Sequence, residues 1–174
     1  MRSRLGEGPP TPEAPGEAAS LADDVRACLR PGFLADLRRL YDRVEAASAR
    51  GPERCLGGGA CCRFDLAGHR LYVSTGELAL LVSQGGADGL EPGRSVRLRC
   101  PYQYGPRCRA RAVRPLGCRV YFCRPVCPEH ARARYEKYHR LIRLLHHRHR
   151  LPYRYVELTS ALAELRALRH GGGQ

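Results

Sequence analysis

Eight cysteines fall between positions 55 and 127: Cys55, Cys61, Cys62, Cys100, Cys108, Cys118, Cys123 and Cys127, while Cys28 stands apart on the N-terminal side. Thiolate is the form of cysteine that binds metal, and soft thiolate donors suit zinc, Cu(I) or iron–sulfur clusters. The spacings are C-x5-C-C, then C-x7-C, then C-x4-C-x3-C. A zinc ribbon or finger normally uses C-x2-C knuckles, and the sequence contains none. The C-x3-C-x2-C spacing of radical-SAM enzymes and the bacterial ferredoxin run are missing too. Irregular spacing on glycine- and proline-rich loops suits an iron–sulfur cluster or a polynuclear site assembled from distant segments. A total of nine cysteines is odd, which counts against complete disulfide pairing.

Arginine surrounds these thiols. Arg54, Arg63, Arg99, Arg107, Arg109, Arg119 and Arg124 are each immediate neighbours of a cysteine in the set. Nearby cations lower a thiol's pKa, and a site holding several thiolates stays negative after metal is added, so interleaved guanidiniums are expected to offset it. Of 30 basic residues only Lys137 is a lysine, a skew that fits a GC-rich genome and carries no functional meaning. The net charge of +13 is uneven: residues 94–154 hold 16 Arg and one Lys against Glu129 and Glu136, a balance of +15, and the remainder sums to −2. Such basicity admits an acidic partner such as nucleic acid.

Other motifs have plainer readings. Tyr102, Tyr104 and Tyr121 could stack bases of a single strand, but at "YQY" and "VYF" they read more simply as strand and core residues. His146, His147 and His149 could supply a nitrogen ligand; a solvated basic helix end is the favoured reading, since helix C-termini favour cations. The glycines of "CLGGGACC" are followed by no G-K-[ST], so they read as a sharp turn that lets Cys55 converge with Cys61 and Cys62, not as a phosphate loop. Cys28 reads as a small buried hydrophobe.

The elements that must position the cysteines are short. A helical stripe of Phe33, Leu37, Leu40 and Val44 begins after Pro31 and Gly32 and ends near Gly51 and Pro52. "HRLYVS" predicts a short strand. Ser74 and Glu77 then fit a capping box for a helix that Gly85 and Gly86 end. "SVRLRCPYQY" and "CRARAVRP" predict a hairpin turning near Gly105 and Pro106, and "GCRVYFCRPVCP" predicts a loop. From Pro128 a helix presents Ala131, Tyr135, Tyr138, Ile142 and Leu145 on one face; Pro152 interrupts it, and "VELTSALAELRAL" predicts a last helix. The expectation is a small α+β domain, helix-rich with short strands around a loop-rich, cysteine-lined metal centre.

Arg114, Pro115, Cys118, Arg119, Tyr121 and Cys123 form an R-P-x2-C-R-x-Y-x-C string, preceded by Cys100 and Cys108 and earlier by Cys55, Gly59, Cys61 and Cys62. In order, spacing and flanking residues this resembles the YkgJ-type cysteine-cluster family, described as a zinc- or iron-chelating domain and related to flagellin lysine N-methylase. The resemblance covers roughly residues 53–130. It departs at Gly58, where the family's opening C-x2-C-G-x-C-C has its second cysteine; Cys127 is a candidate to restore the ligand count.

The organisation expected is a disordered tail over residues 1–22, a helical segment over 23–52, a cysteine-cluster core over 53–130, C-terminal helices over 131–170 and a flexible tail over 171–174. Residues 1–22 contain no apolar h-region and no run approaches 18 apolar residues, so neither a signal peptide nor a membrane span is expected, and a cytoplasmic location is. The function expected is metal binding by the eight clustered thiols, with iron as an iron–sulfur cluster in a redox or electron-transfer role with a protein partner. The alternatives are a structural zinc module for a protein or nucleic-acid partner, nucleic acid not being favoured, or a methyltransferase-like enzyme, which the resemblance alone implies. Whether the chain is an enzyme stays open at this point.

Overall fold

A computed structural model describes residues 19–49, 58–85, 99–121 and 128–171. The chain runs α1 (Leu21–Ala27), α2 (Pro31–Ala49), a 3-10 turn (Ala60–Cys62), α3 (Phe64–Ala67), β1 (Tyr72–Ser74), α4 (Thr75–Gln84), β2 (Gln103–Tyr104), β3 (Arg107–Cys108), a second 3-10 turn (Arg111–Val113), α5 (Leu116–Val120), α6 (Pro128–His149), β4 (Tyr155–Glu157) and α7 (Leu158–Gly171). It is a small α+β domain: helices pack around two antiparallel two-stranded ribbons, β1 with β4 and β2 with β3. No described helix is long and apolar enough to cross a membrane.

The centre of the fold is α4. Its residues from Thr75 to Leu81 are all buried, as expected of a helix without a strong polar face. The Ser74–Glu77 capping box forms as the sequence predicts. Gly76 lets α2 and α6 come close, because a Cβ there would meet Phe33 at 2.5 Å and His146 Nε2 at 2.6 Å. Around α4, helix α2 packs on α6, α5 fills the angle between them, and α1 covers α4 and α7. Phe33, Leu37, Leu78, Leu80, Leu116, Ile142, Leu158 and Leu162 make one apolar cluster. Burying a side chain of this size contributes roughly 1.5–3 kcal/mol.

Four details differ from the sequence expectation. "VELTSALAELRAL" is not all helix: Tyr155, Val156 and Glu157 pair with Ser74, Val73 and Tyr72 before the helix begins. The predicted hairpin shrinks to two residues per strand, with Gly105 at φ +54 in its turn, and residues 111–113 curl into a 3-10 turn. The predicted loop at "GCRVYFC" contains α5. The histidines of "HHRH" are only in part a solvated end: His147 is exposed, but His146 is buried between Phe33 and Tyr153, its Nδ1 2.8 Å from Pro152 O, and His149 pairs with Asp36.

Candidate metal centre

Five of the eight candidate thiols meet. Cys61, Cys62, Cys100, Cys108 and Cys118 line a single cavity of about 300 Å³. Cys55, Cys123 and Cys127 lie outside the described residues. Cys28 is fully buried elsewhere, at the end of α1, with its thiol toward Pro152 O, and burial pushes its pKa up to about 11.

Each thiol is delivered by a different local device. Gly59 sits at φ +70, and a Cβ there would come within 2.7 Å of Gln103 Nε2 and 3.1 Å of Pro106 O. Only glycine accepts both the left-handed backbone and the close approach. The Gln103 amide donates to Gly59 O at 3.0 Å, tying this turn to β2. The chain then winds through the Ala60–Cys62 turn, which presents Cys61 and Cys62. Cys100 N–H donates to Cys62 O at 2.8 Å, which seats the second segment beside the first. Gly58, by contrast, has open space where a side chain would be.

Cys118 rides on α5, whose start is fixed from three sides. Leu116 N–H donates to the buried Glu77 carboxylate at 2.8 Å, and the same carboxylate accepts from Tyr41 hydroxyl and from Ser74. Arg119 closes the turn before the helix: its guanidinium donates to Arg114 O and Ala112 O, each at 2.7 Å, and pairs with Glu45 while lying 4.1 Å over the Tyr41 ring.

The arginines adjacent to cysteines in sequence divide between roles, and Arg119 is electrostatically coupled to Cys118. The guanidinium of Arg119 is committed to backbone carbonyls and Glu45, and that of Arg109 lies over Tyr104. The cations acting on the thiols come chiefly from the second 3-10 turn and the residue after it. Arg114 and Arg111 favour the thiolate at Cys108, and Arg114 does so at Cys118. Arg107 also lines the cavity. Sequence adjacency misses Arg111 because its direction is set by the 3-10 turn, which no periodicity announces.

Burial works against ionisation. It pushes the Cys118 and Cys108 thiols above the usual range, and Cys62 rises to about 12, first through its hydrogen bond to Cys100. Cys62 is also hydrogen-bonded to Cys61, so the thiols already contact one another. Metal would have to displace their protons. Among the described residues no group of three or more His, Cys, Asp or Glu side chains is gathered as it would be round a metal ion.

No protein-family model, no curated protein and no solved structure matches this chain.

Proposed function

We propose that the cysteine-lined cavity holds iron as an iron–sulfur cluster and that the protein serves a redox or electron-transfer role. The observation that carries this reading is the convergence of Cys61, Cys62, Cys100, Cys108 and Cys118 on one cavity from three separate segments. No described carboxylate or imidazole lines it, and a set of thiols alone is the donor chemistry of clusters and of structural zinc. Arg111 and Arg114 supply positive charge where thiolates would accumulate it. When bound, such a cluster supplies one-electron transfer; the chain's own work is to orient the thiols, keep water from them and balance their charge.

The test is chemical analysis of the chain purified without oxygen. Iron and acid-labile sulfide in equal amounts are expected, with both falling at least by half in Cys62→Ser and Cys118→Ser. Zinc without sulfide would assign the thiols to a structural zinc site and end the redox reading.

A further inference from the structure

A second cavity, of about 940 Å³, adjoins the cysteine site and shares Cys61, Cys118 and Tyr121 with it. Its volume falls at the upper end of the range for small-molecule sites. One wall is aromatic: Tyr72, Tyr121, Tyr135 and Tyr155 all line it. Tyr72 and Tyr155 stack at 5.4 Å, and Tyr121 and Tyr135 lie 5.3 Å apart. Tyr72, Tyr121 and Tyr155 are each more than 40 % exposed, and Leu66 on the facing α3 is 68 % exposed. Four of the molecule's most exposed large apolar side chains thus face one hollow. Apolar surface gathered in this way marks a binding site more often than chance exposure does.

The charged groups of the same hollow are cationic, beside the Gln103 amide, whose Oε1 is a buried acceptor. Arg63, His69 and Arg70 line the wall made by α3 and the residues beside it, and no described Asp or Glu lines the cavity. Among the described residues Arg63 forms an ion pair with Asp65, at 3.9 Å, and its Nε is buried without a hydrogen-bond partner among them. The hydroxyls of Tyr135 and Tyr155 are 2.6 Å apart. Only one O–H can serve that bond, so the other remains available to donate elsewhere. Tyrosine cages elsewhere take quaternary ammonium groups. Here two guanidiniums line the cavity and no described carboxylate does, although Glu77 and Glu136 act on the tyrosine hydroxyls from outside it, so the arginine wall is where an anionic group is favoured over a cationic one.

We infer that this second cavity binds a small planar aromatic anion, its ring among Tyr72, Tyr121 and Tyr155 and its anionic oxygens toward Arg63, Arg70 and the tyrosine hydroxyls. The ligand sits against Cys61 and Cys118, so it is placed to report on, or be acted on by, whatever those thiols hold. The inference rests on the cavity lining of the metal-free chain; thiolates held at Cys61 and Cys118 would weaken the binding of an anion.

Titration of the full chain with 1-anilinonaphthalene-8-sulfonate, read by its fluorescence, tests it. Saturable binding at one site is expected, displaced by benzenesulfonate and not by phenyltrimethylammonium, which has the same ring with the opposite charge. Two charge-assisted hydrogen bonds are lost in the Arg63→Gln, Arg70→Gln double variant, which should bind about tenfold more weakly or worse. Removing two exposed arginines elsewhere, Arg38→Gln with Arg140→Gln, should change binding by less than about twofold, because distant surface charges are screened. A measurement on the unaltered chain guards against misfolded variants: photolabelling with 4-azidobenzoate should mark Leu66, Tyr72, Tyr121, Tyr135 or Tyr155. The inference is overturned by non-saturable binding, by displacement with the cation, by equal losses in the two arginine pairs, or by label placed elsewhere.

Discussion

At the scale of single residues, Arg119 is the side chain on which the candidate centre most depends without lining it. It is 3 % exposed, and its planar fork spans Arg114 O, Ala112 O and Glu45 at once. A lysine ammonium keeps the charge but cannot reach three acceptors in that geometry. Arg119→Lys is therefore expected to lower stability by about 2 kcal/mol, the scale of losing a charge-assisted hydrogen bond to a buried carbonyl, in urea denaturation. The same variant should lose metal, since the turn it closes leads into Cys118. A stability change under 1 kcal/mol would mean that the turn holds without its clamp. The arginine was visible in the string "RPLGCR", but its task was not: the acceptors are carbonyls seven and five residues back, and only the 3-10 turn brings them near.

At the scale of elements, the turn at Gly58 and Gly59 makes a paired prediction. Gly59→Ala places a Cβ against Gln103 and forces a left-handed backbone, a cost of about 1–2 kcal/mol from the backbone alone. Gly58→Cys meets nothing within 4 Å and should leave the melting temperature within error while adding a thiol beside the cluster. Comparing bound metal in Gly58→Cys with and without Cys127→Ser then tells whether Cys127 supplies a ligand; no change in either background would remove it from the donor set. The long elements were legible because their signals are long. Phe33, Leu37, Leu40 and Val44 repeat at helical spacing, and the Ser74–Glu77 box marks its helix start by mechanism. The short ones were not. Helices α3 and α5, at four and five residues, do not complete a readable period, and β4 abuts α7 so closely that Val156 and Glu157 read as the first turn of that helix. Five of the eight cysteines picked out by type line one cavity, while the tyrosine wall of the neighbouring cavity draws on residues 72, 121, 135 and 155, which no local pattern links.

Across the whole molecule, buried histidines set a pH dependence. Burial holds His139 and His146 below the ordinary histidine value of 6.5. In the unfolded chain these imidazoles take protons at higher pH than they do in the fold. Below pH 6.5 the unfolded state therefore binds more protons, and stability falls as pH drops through the lowered folded values. The contribution is complete above 6.5. Thermal melts should show a midpoint that is level between pH 7 and 8 and declines toward pH 5, with a shallower decline in His146→Gln. A midpoint that rises on acidification would contradict the burial argument.

Across the fold, α4 and its buried Glu77 hold α5, the Gly59 turn holds the Cys61 and Cys62 pair, and together they shape a thiol-lined cavity, which we propose holds a metal group. The most direct measurement is the visible absorption spectrum of the full chain after anaerobic addition of ferrous iron and sulfide. A broad band near ~400 nm that bleaches with dithionite is predicted, as thiolate-held clusters show on reduction. A chain that stays colourless while binding zinc through the same cysteines would contradict it.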